Sequence, residues 1–524
     1  MLSYFDCNVC LGKRGPKHPL EMWKTEDILA EMERCGVSAA LCYAGPAKDY
    51  SPRYGNEWLY EELKKSPRLY GCYTVCPNQA GDFLDPAEMI ADMRAKGMVA
   101  ARMFPKSHAY IPDEITMGAV YTALAQAGFA LFVDNSELSL DEVAPILTAH
   151  PNLNLVITGI SWSQERKLFA LMDKFSRLFV DLSALQTNRM PELMYERYGW
   201  GKVIFGSGMP MHSLGAARAF LDYADVFLPA LKDFACGNLC NLLKLDRPAP
   251  EDPKCDDIAM EAFQGKPISV PVLDSHAHWQ PDGQKTGSGW IMPEGDCDAM
   301  YQAGKKLGVD GACVAPWLGI WHDTAAGNEA AHTMAQRYPG EVFPYLLIDP
   351  NYDEDVAAIA RHYHETLRFP GVKMFYNRTH WRYNDPIFDP WWEIANRHGL
   401  YALMDYGGYP TFLSDVEELA QKYPNVNFFL DHAGRNFEAA VQYGALAKKY
   451  PNVYLQLTYT TVPQGMIEYL CREGLADKTM YGTDAPMRDP RPQLGWVTAA
   501  NISREDKMKI LGGNMQRVLD QVHF

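Results

Sequence analysis

The chain has 524 residues, of which 49 are Lys or Arg and 65 are Asp or Glu, giving a formal net charge of −16. This acidic balance argues against nucleic acid as a partner, because no surplus of cations is available to neutralise phosphates. A composition of 47% hydrophobic and 22% charged residues excludes a wholly disordered chain, and the length exceeds what one hydrophobic core spans, so two domains are expected.

No run of about 18 apolar residues is present to cross a membrane. The opening Met1-Leu2-Ser3-Tyr4-Phe5-Asp6 lacks the basic and then apolar run of a signal peptide. A cytoplasmic protein without membrane contact is therefore expected, its 12 Cys reduced, and no pair of CxxC motifs points to a structural zinc cluster.

In chain order, short apolar runs rich in β-branched and aromatic residues fall at 2–9, 37–44, 69–76, 97–104, 129–135, 153–159, 178–184 and 203–209, separated by stretches of helical period. Residues 246–270 read as a linker, with Pro248, Pro250 and Pro253 among acidic residues and a short amphipathic piece near Ile258–Phe263. Eight further runs follow at 271–278, 310–317, 342–349, 369–376, 400–406, 426–432, 453–459 and 479–484. The two sets repeat one pattern at a nearly constant offset. Asp6 answers Asp274, Gly55-Asn56-Glu57 answers Gly327-Asn328-Glu329, and Gly128 answers Gly399. Later, Gly206 answers Gly482 and Asn238 answers Asn514. Eight βα units in roughly 250 residues mark a (β/α)8 barrel. The expected fold class is α/β, two tandem (β/α)8 TIM-type barrels over 1–245 and 271–524.

Polar residues interrupt the second copy where strands should end, which is the catalytic face of such a barrel. His276-Ala277-His278 closes the first strand, and residues i and i+2 of a strand point the same way, so both imidazoles can meet one ion. Alone, this short motif is weak. His362-Tyr363-His364 is a decoy: in a helical stretch the two rings diverge, and a solvated surface pair is expected. The other strand ends add weight to His276 and His278, with Lys373 after strand four, Asp431-His432-Ala433-Gly434-Arg435 after strand six, and Gly482-Thr483-Asp484-Ala485-Pro486 after strand eight.

This ordered set resembles the amidohydrolase superfamily. More narrowly, it looks like the branch that includes aminocarboxymuconate-semialdehyde decarboxylase, resorcylate-type decarboxylases and pyrone-dicarboxylate lactonase. Ile510-Leu511-Gly512-Gly513-Asn514 looks like that branch's last helix start. The resemblance implies that His276, His278 and Asp484 bind a divalent metal ion, that Asp484 also handles the proton of an attacking water, and that His432 stabilises charge on the substrate. The branch usually places a metal-binding His after strand five, where this chain has Asp405. Asp405 either completes a set of two His and two carboxylates suited to Zn²⁺ or Mn²⁺, or pairs with Lys373 in a site that holds no metal tightly. For Lys373 a contact to a substrate carboxylate is the other expectation.

The loops around the mouth carry Trp317, Arg378, Tyr406 and Arg435, a mixture of rings and guanidinium groups suited to a flat, carboxylated small molecule. The expected activity is metal-dependent hydrolysis or non-oxidative decarboxylation of such a compound, possible without metal in the manner of the lactonases. A non-catalytic scaffold of two decayed barrels is the contrasting reading. In the first copy Asn8 and Cys10 stand where His276 and His278 do, Gly159 answers His432, and Gly208 answers Asp484. Asp134, Arg102, His108 and His212 stay polar, which leaves a structural barrel or a pocket as readings. Members with one barrel commonly pair as dimers, so the resemblance implies an intramolecular barrel pair, with homo-oligomerisation a further expectation.

Overall fold

The computed structural model describes residues 2–15, 19–282, 289 and 291–524. Its contacts divide the chain into Met1–Cys255 and Asp256–Phe524, a boundary inside the expected linker. Within the first unit the strands are β1 (Phe5–Leu11), β2 (Ala39–Ala44), β3 (Leu69–Thr74), β4 (Ala100–Arg102), β5 (Ala130–Asp134), β6 (Leu155–Thr158), β7 (Leu178–Asp181) and β8 (Val203–Ile204). The second unit has β9 (Leu273–Ala277), β10 (Gly311–Val314), β11 (Val342–Leu346), β12 (Gly371–Phe375), β13 (Tyr401–Asp405), β14 (Asn427–Leu430), β15 (Val453–Gln456) and β16 (Thr479–Met480). Each set pairs parallel in sequence order and alternates with helices, so the chain is two tandem (β/α)8 barrels.

The residues that betrayed the repeat turn out to be the ones that hold each barrel's geometry. Gly128 (φ +77°) and Gly399 (φ +62°) end the helices Glu114–Ala127 and Asp389–His398 in the left-handed conformation that favours glycine. Asn56 pairs its amide with both backbone groups of Thr74 at 2.8 Å, and Asn328 does the same for Leu347 at 2.8 and 3.0 Å, capping the third strand of each barrel. Asn238 donates to Trp200 O and Val203 O, as Asn514 donates to Ala476 O and Thr479 O. Such buried amides satisfy backbone groups that would otherwise be costly orphans.

Barrel closure depends on a buried carboxylate. Asp274 Oδ1 accepts from His276 N and from Thr483 N, both at 3.0 Å, while Thr483 Oγ1 donates to Oδ2. Asp6 repeats this with Asn8 N at 2.9 Å, Ser207 N at 3.0 Å and Ser207 Oγ. The first strand is thereby tied to the turn after the last. That turn departs from the expected strand 479–484: β16 stops at Met480, and Asp484 takes φ +62°, outside the extended region.

The expectation for His362 and His364 needs correction. The segment Arg361–Thr366 is a π-helical turn in which His362 is exposed, but His364 is fully buried. His364 Nδ1 faces Phe369 O at 2.7 Å, and its Nε2 accepts from Trp391 Nε1 at 2.7 Å. The ring is therefore a satisfied core group. Among the described residues no helix is long and apolar enough to cross a membrane.

Removing the hydroxyl in Ser207→Ala leaves one oxygen of the buried Asp6 carboxylate and the Met209 N–H short of a partner. The first barrel should lose about 1–3 kcal/mol of stability, read as a lower urea midpoint.

Candidate active site

β9 alternates its side chains so that Asp274 secures the closure, while His276 and His278 rise into the mouth, 1% and 3% exposed. The tautomer of each ring follows from its partners. His278 Nδ1 faces Ala315 O at 2.8 Å and must carry the proton, because a carbonyl can only accept. His276 Nδ1 faces Asp431 Oδ1 at 3.1 Å and Gln456 Oε1 at 3.3 Å, again two acceptors. Burial pushes both imidazoles toward the neutral form, His278 down to about 3 and His276 well below its ordinary value. Each Nε2 therefore presents a lone pair, and the Lys373 ammonium lies 3.5 Å from that of His276.

Those lone pairs face each other at 2.9 Å. Asp484 Oδ1 joins them, 2.9 Å from His278 Nε2 and 3.5 Å from His276 Nε2. Three acceptor atoms converging in a buried space repel one another unless a cation lies among them. Ligand atoms held tetrahedrally at roughly 2.0–2.1 Å from an ion are spaced about 3.3 Å apart, close to the separations here, so the donor set fits Zn²⁺ or Mn²⁺. Arg488 pairs with Asp484 Oδ2, so the carboxylate is held from one side and its Oδ1 is turned to the two imidazoles.

A second layer of contacts holds these rings. Asp431 lies against His276 Nδ1, His432 Nδ1 (3.4 Å) and Lys373 Nζ (3.0 Å). Burial opposes its ionisation, but His276, His432 and Lys373 outweigh that and hold the carboxyl well below the usual range. The sequence shows Asp431 beside His432 without revealing this role. Gln456, the polar residue that ends the run of β15, was also unassigned. Gly482 is small by necessity, since a Cβ there would come within 2.0 Å of Gln456 Nε2 and 3.0 Å of His276 Cβ.

Asp405 is placed differently from His276, His278 and Asp484. Lys373 bonds Asp431, and the Asp405 carboxylate stays outside the three-atom cluster, 3.9 Å from His432 Nε2. Burial and then the Asp431 charge push its pKa above the usual carboxylate range. His432 Nδ1 is 2.7 Å from Thr458 O and so donates, which leaves its Nε2 lone pair for the mouth. Trp317 packs edge-on to His278, with ring centroids 5.2 Å apart. Arg435 lies over the Tyr406 ring at 4.6 Å and donates to Tyr443 Oη at 2.9 Å. An open cleft of about 350 Å³ is lined by Lys373, Phe375, Arg378, His322 and Tyr352. Arg378 is exposed there, with no hydrogen bond or ion pair among the described residues.

A family model described as Amidohydrolase matches residues 51–245 and 273–521. The chain belongs to the amidohydrolase family. No curated protein sequence matches this amidohydrolase. Among solved structures, an uncharacterised TIM-barrel protein from Bordetella bronchiseptica is 17% identical with a TM-score of 0.40, covering 48% of this chain and 99% of its own. A 2,6-dihydroxybenzoate decarboxylase from Rhizobium is 14% identical (TM-score 0.36; 48% and 98% covered). A 5-carboxyvanillate decarboxylase from Sphingomonas paucimobilis is also 14% identical (TM-score 0.37; 49% and 100% covered).

In His276→Ala one of three converging ligands is gone, and bound Zn or Mn measured by plasma mass spectrometry should fall to a small fraction of one equivalent. Asp431→Asn keeps all three ligands but weakens the orientation of the His276 ring, so metal affinity should drop by roughly 10- to 100-fold.

Proposed function

We propose that the second barrel is a metal-dependent enzyme that hydrolyses or non-oxidatively decarboxylates a small carboxylated organic compound. The convergence of His276 Nε2, His278 Nε2 and Asp484 Oδ1, three acceptor atoms with only the Lys373 ammonium beside the first at 3.5 Å, is the observation that carries this reading. An ion held by these residues would supply Lewis-acid polarisation of a substrate oxygen.

The protein's own groups divide the remaining work. Arg378, exposed over the cleft, offers a guanidinium fork to a substrate carboxylate. Lys373 adds a buried positive charge at the inner end of the same cleft, held in place by Asp431. Asp484 Oδ1 is the proton acceptor nearest the two imidazoles, while Arg488 engages the other oxygen. His432 holds its Nδ1 proton on Thr458 O, so its Nε2 can take up a proton or hand one to a leaving group at the mouth. Trp317, packed against His278, walls the site and limits water.

Asp484→Asn keeps the shape but cannot accept a proton, and kcat should fall by a factor on the order of 10² to 10⁴. A panel of aromatic acids and lactones, assayed with CO₂ release monitored, distinguishes decarboxylation from hydrolysis. Turnover that survives complete chelation in protein free of stoichiometric metal would replace this reading by a metal-independent, lactonase-like one.

A further inference from the structure

The mouth of the first barrel has the opposite chemistry. Asn8 and Cys10 replace the two imidazoles, and glycines stand at the positions of His432 and Asp484. Gly159 (φ +68°) answers His432 (φ +55°), and Gly208 (φ +75°) answers Asp484 (φ +62°), so the backbone keeps its left-handed turns while the functional side chains are gone. What remains is a cavity of about 760 Å³ lined by Asn8, Tyr43, Phe104, Arg102 and His212.

Arg102, at the end of β4, answers Lys373 and is 1% exposed. Lys373 has Asp431 at 3.0 Å, but the residue that answers Asp431 is Thr158. Arg102 donates through Nη1 to Asn8 Oδ1 at 2.8 Å and through Nη2 to Thr158 Oγ1 at 2.6 Å. Both acceptors are neutral, no carboxylate pairs with it within 4 Å, and its Nε–H has no partner among the described residues. Of the acids at the rim, Asp134 Oδ1 accepts from Ser136 N and Oγ at 2.9 and 2.6 Å and its Oδ2 accepts from Thr158 Oγ1 at 3.3 Å, while Asp49 Oδ2 accepts from Gly15 N at 3.1 Å. Lys48 is paired with Glu137 at 3.1 Å. The Tyr43 ring lies 4.3 Å from the guanidinium and supplies only its quadrupole. Two of the five N–H donors of a buried guanidinium are thus satisfied by hydrogen bonds, and the carboxylate of Asp134 reaches it only through the Thr158 hydroxyl, an arrangement that is costly without a directly bound anion.

We propose that the first barrel binds a small organic carboxylate at Arg102. The loss of one acid, in passing from the Asp431 position to Thr158, turns a site of converging acceptors into one of unspent donors. Tyr43 and Phe104 give the bound molecule an apolar wall.

Equilibrium dialysis of the full chain against radiolabelled benzoate or succinate counts the bound equivalents. Arg102→Gln and Thr158→Asp should each remove one equivalent or weaken it at least tenfold, whereas Arg378→Ala in the second barrel should leave that equivalent in place. Thr158→Asp keeps the cation and adds the carboxylate that the second barrel already has beside Lys373, so it decides the matter even where Arg102→Gln fails to fold. Unchanged binding in Thr158→Asp would overturn the assignment. So would absence of any bound carboxylate in the unsubstituted chain, or saturable binding of inorganic phosphate with none of either acid.

Discussion

In each barrel a carboxylate buried at the seam joins the first strand to the turn after the eighth, and the rest of the mouth depends on that joint. Asp274 grips the backbone N–H of His276 and of Thr483 with one oxygen. One of those residues is a candidate ligand and the other is the immediate neighbour of Asp484. The spacing between the imidazoles and the carboxylate is therefore set by backbone hydrogen bonds, not by the flexible ends of side chains. Burial of Asp274 raises its pKa to about 7, with the hydrogen bonds from Thr483 and His276 N opposing that rise. The same clasp at Asp6 holds a barrel that carries none of this chemistry, which makes it a device of the fold first and of the site second.

Much of this was legible along the chain because the governing distances are short in sequence. His276 and His278 share a face of one strand, and Asp431-His432 and Thr483-Asp484 sit at strand ends, so alternation and barrel topology place them together at the mouth. The pairing of Lys373 was not legible. In β12 and β13 Lys373 is level with Leu403, while Asp405 is level with Phe375. Interior layers of such a barrel are filled from alternate strands, so Lys373 on β12 meets Asp431 at the end of β14 and passes over the intervening strand. Sequence proximity of strands misleads here because the barrel tilts its strands. His364 escaped for a different reason: helical period alone gives an angle between side chains, not which of them faces the core.

The two mouths show how few groups decide the sign of a site. Both barrels carry a cation at the end of the fourth strand and a carboxylate at the end of the fifth, Arg102 with Asp134 and Lys373 with Asp405. Around Lys373 the neighbours are acceptors, the His276 lone pair and Asp431. Around Arg102 they are an amide, a hydroxyl and an aromatic face. In a buried space of low dielectric no mobile counterion screens the difference, so these few side chains set the sign of the potential in each mouth.

That requirement also explains why the two sites tolerate different residues at the left-handed turns. At His432 and Asp484 the strained backbone conformation is retained by residues with Cβ atoms, a cost on the order of 1–2 kcal/mol each that is sustained by their contacts with Thr458, His278 and Arg488. At Gly159 and Gly208 the same conformation costs little, because glycine has no Cβ to clash. A Cβ added at Gly159 would come within 2.5 Å of Asp134 Oδ2, and one at Gly208 within 2.9 Å of the His212 ring. Where no side chain is needed to hold a ligand, relief of backbone strain and of these close contacts favours glycine.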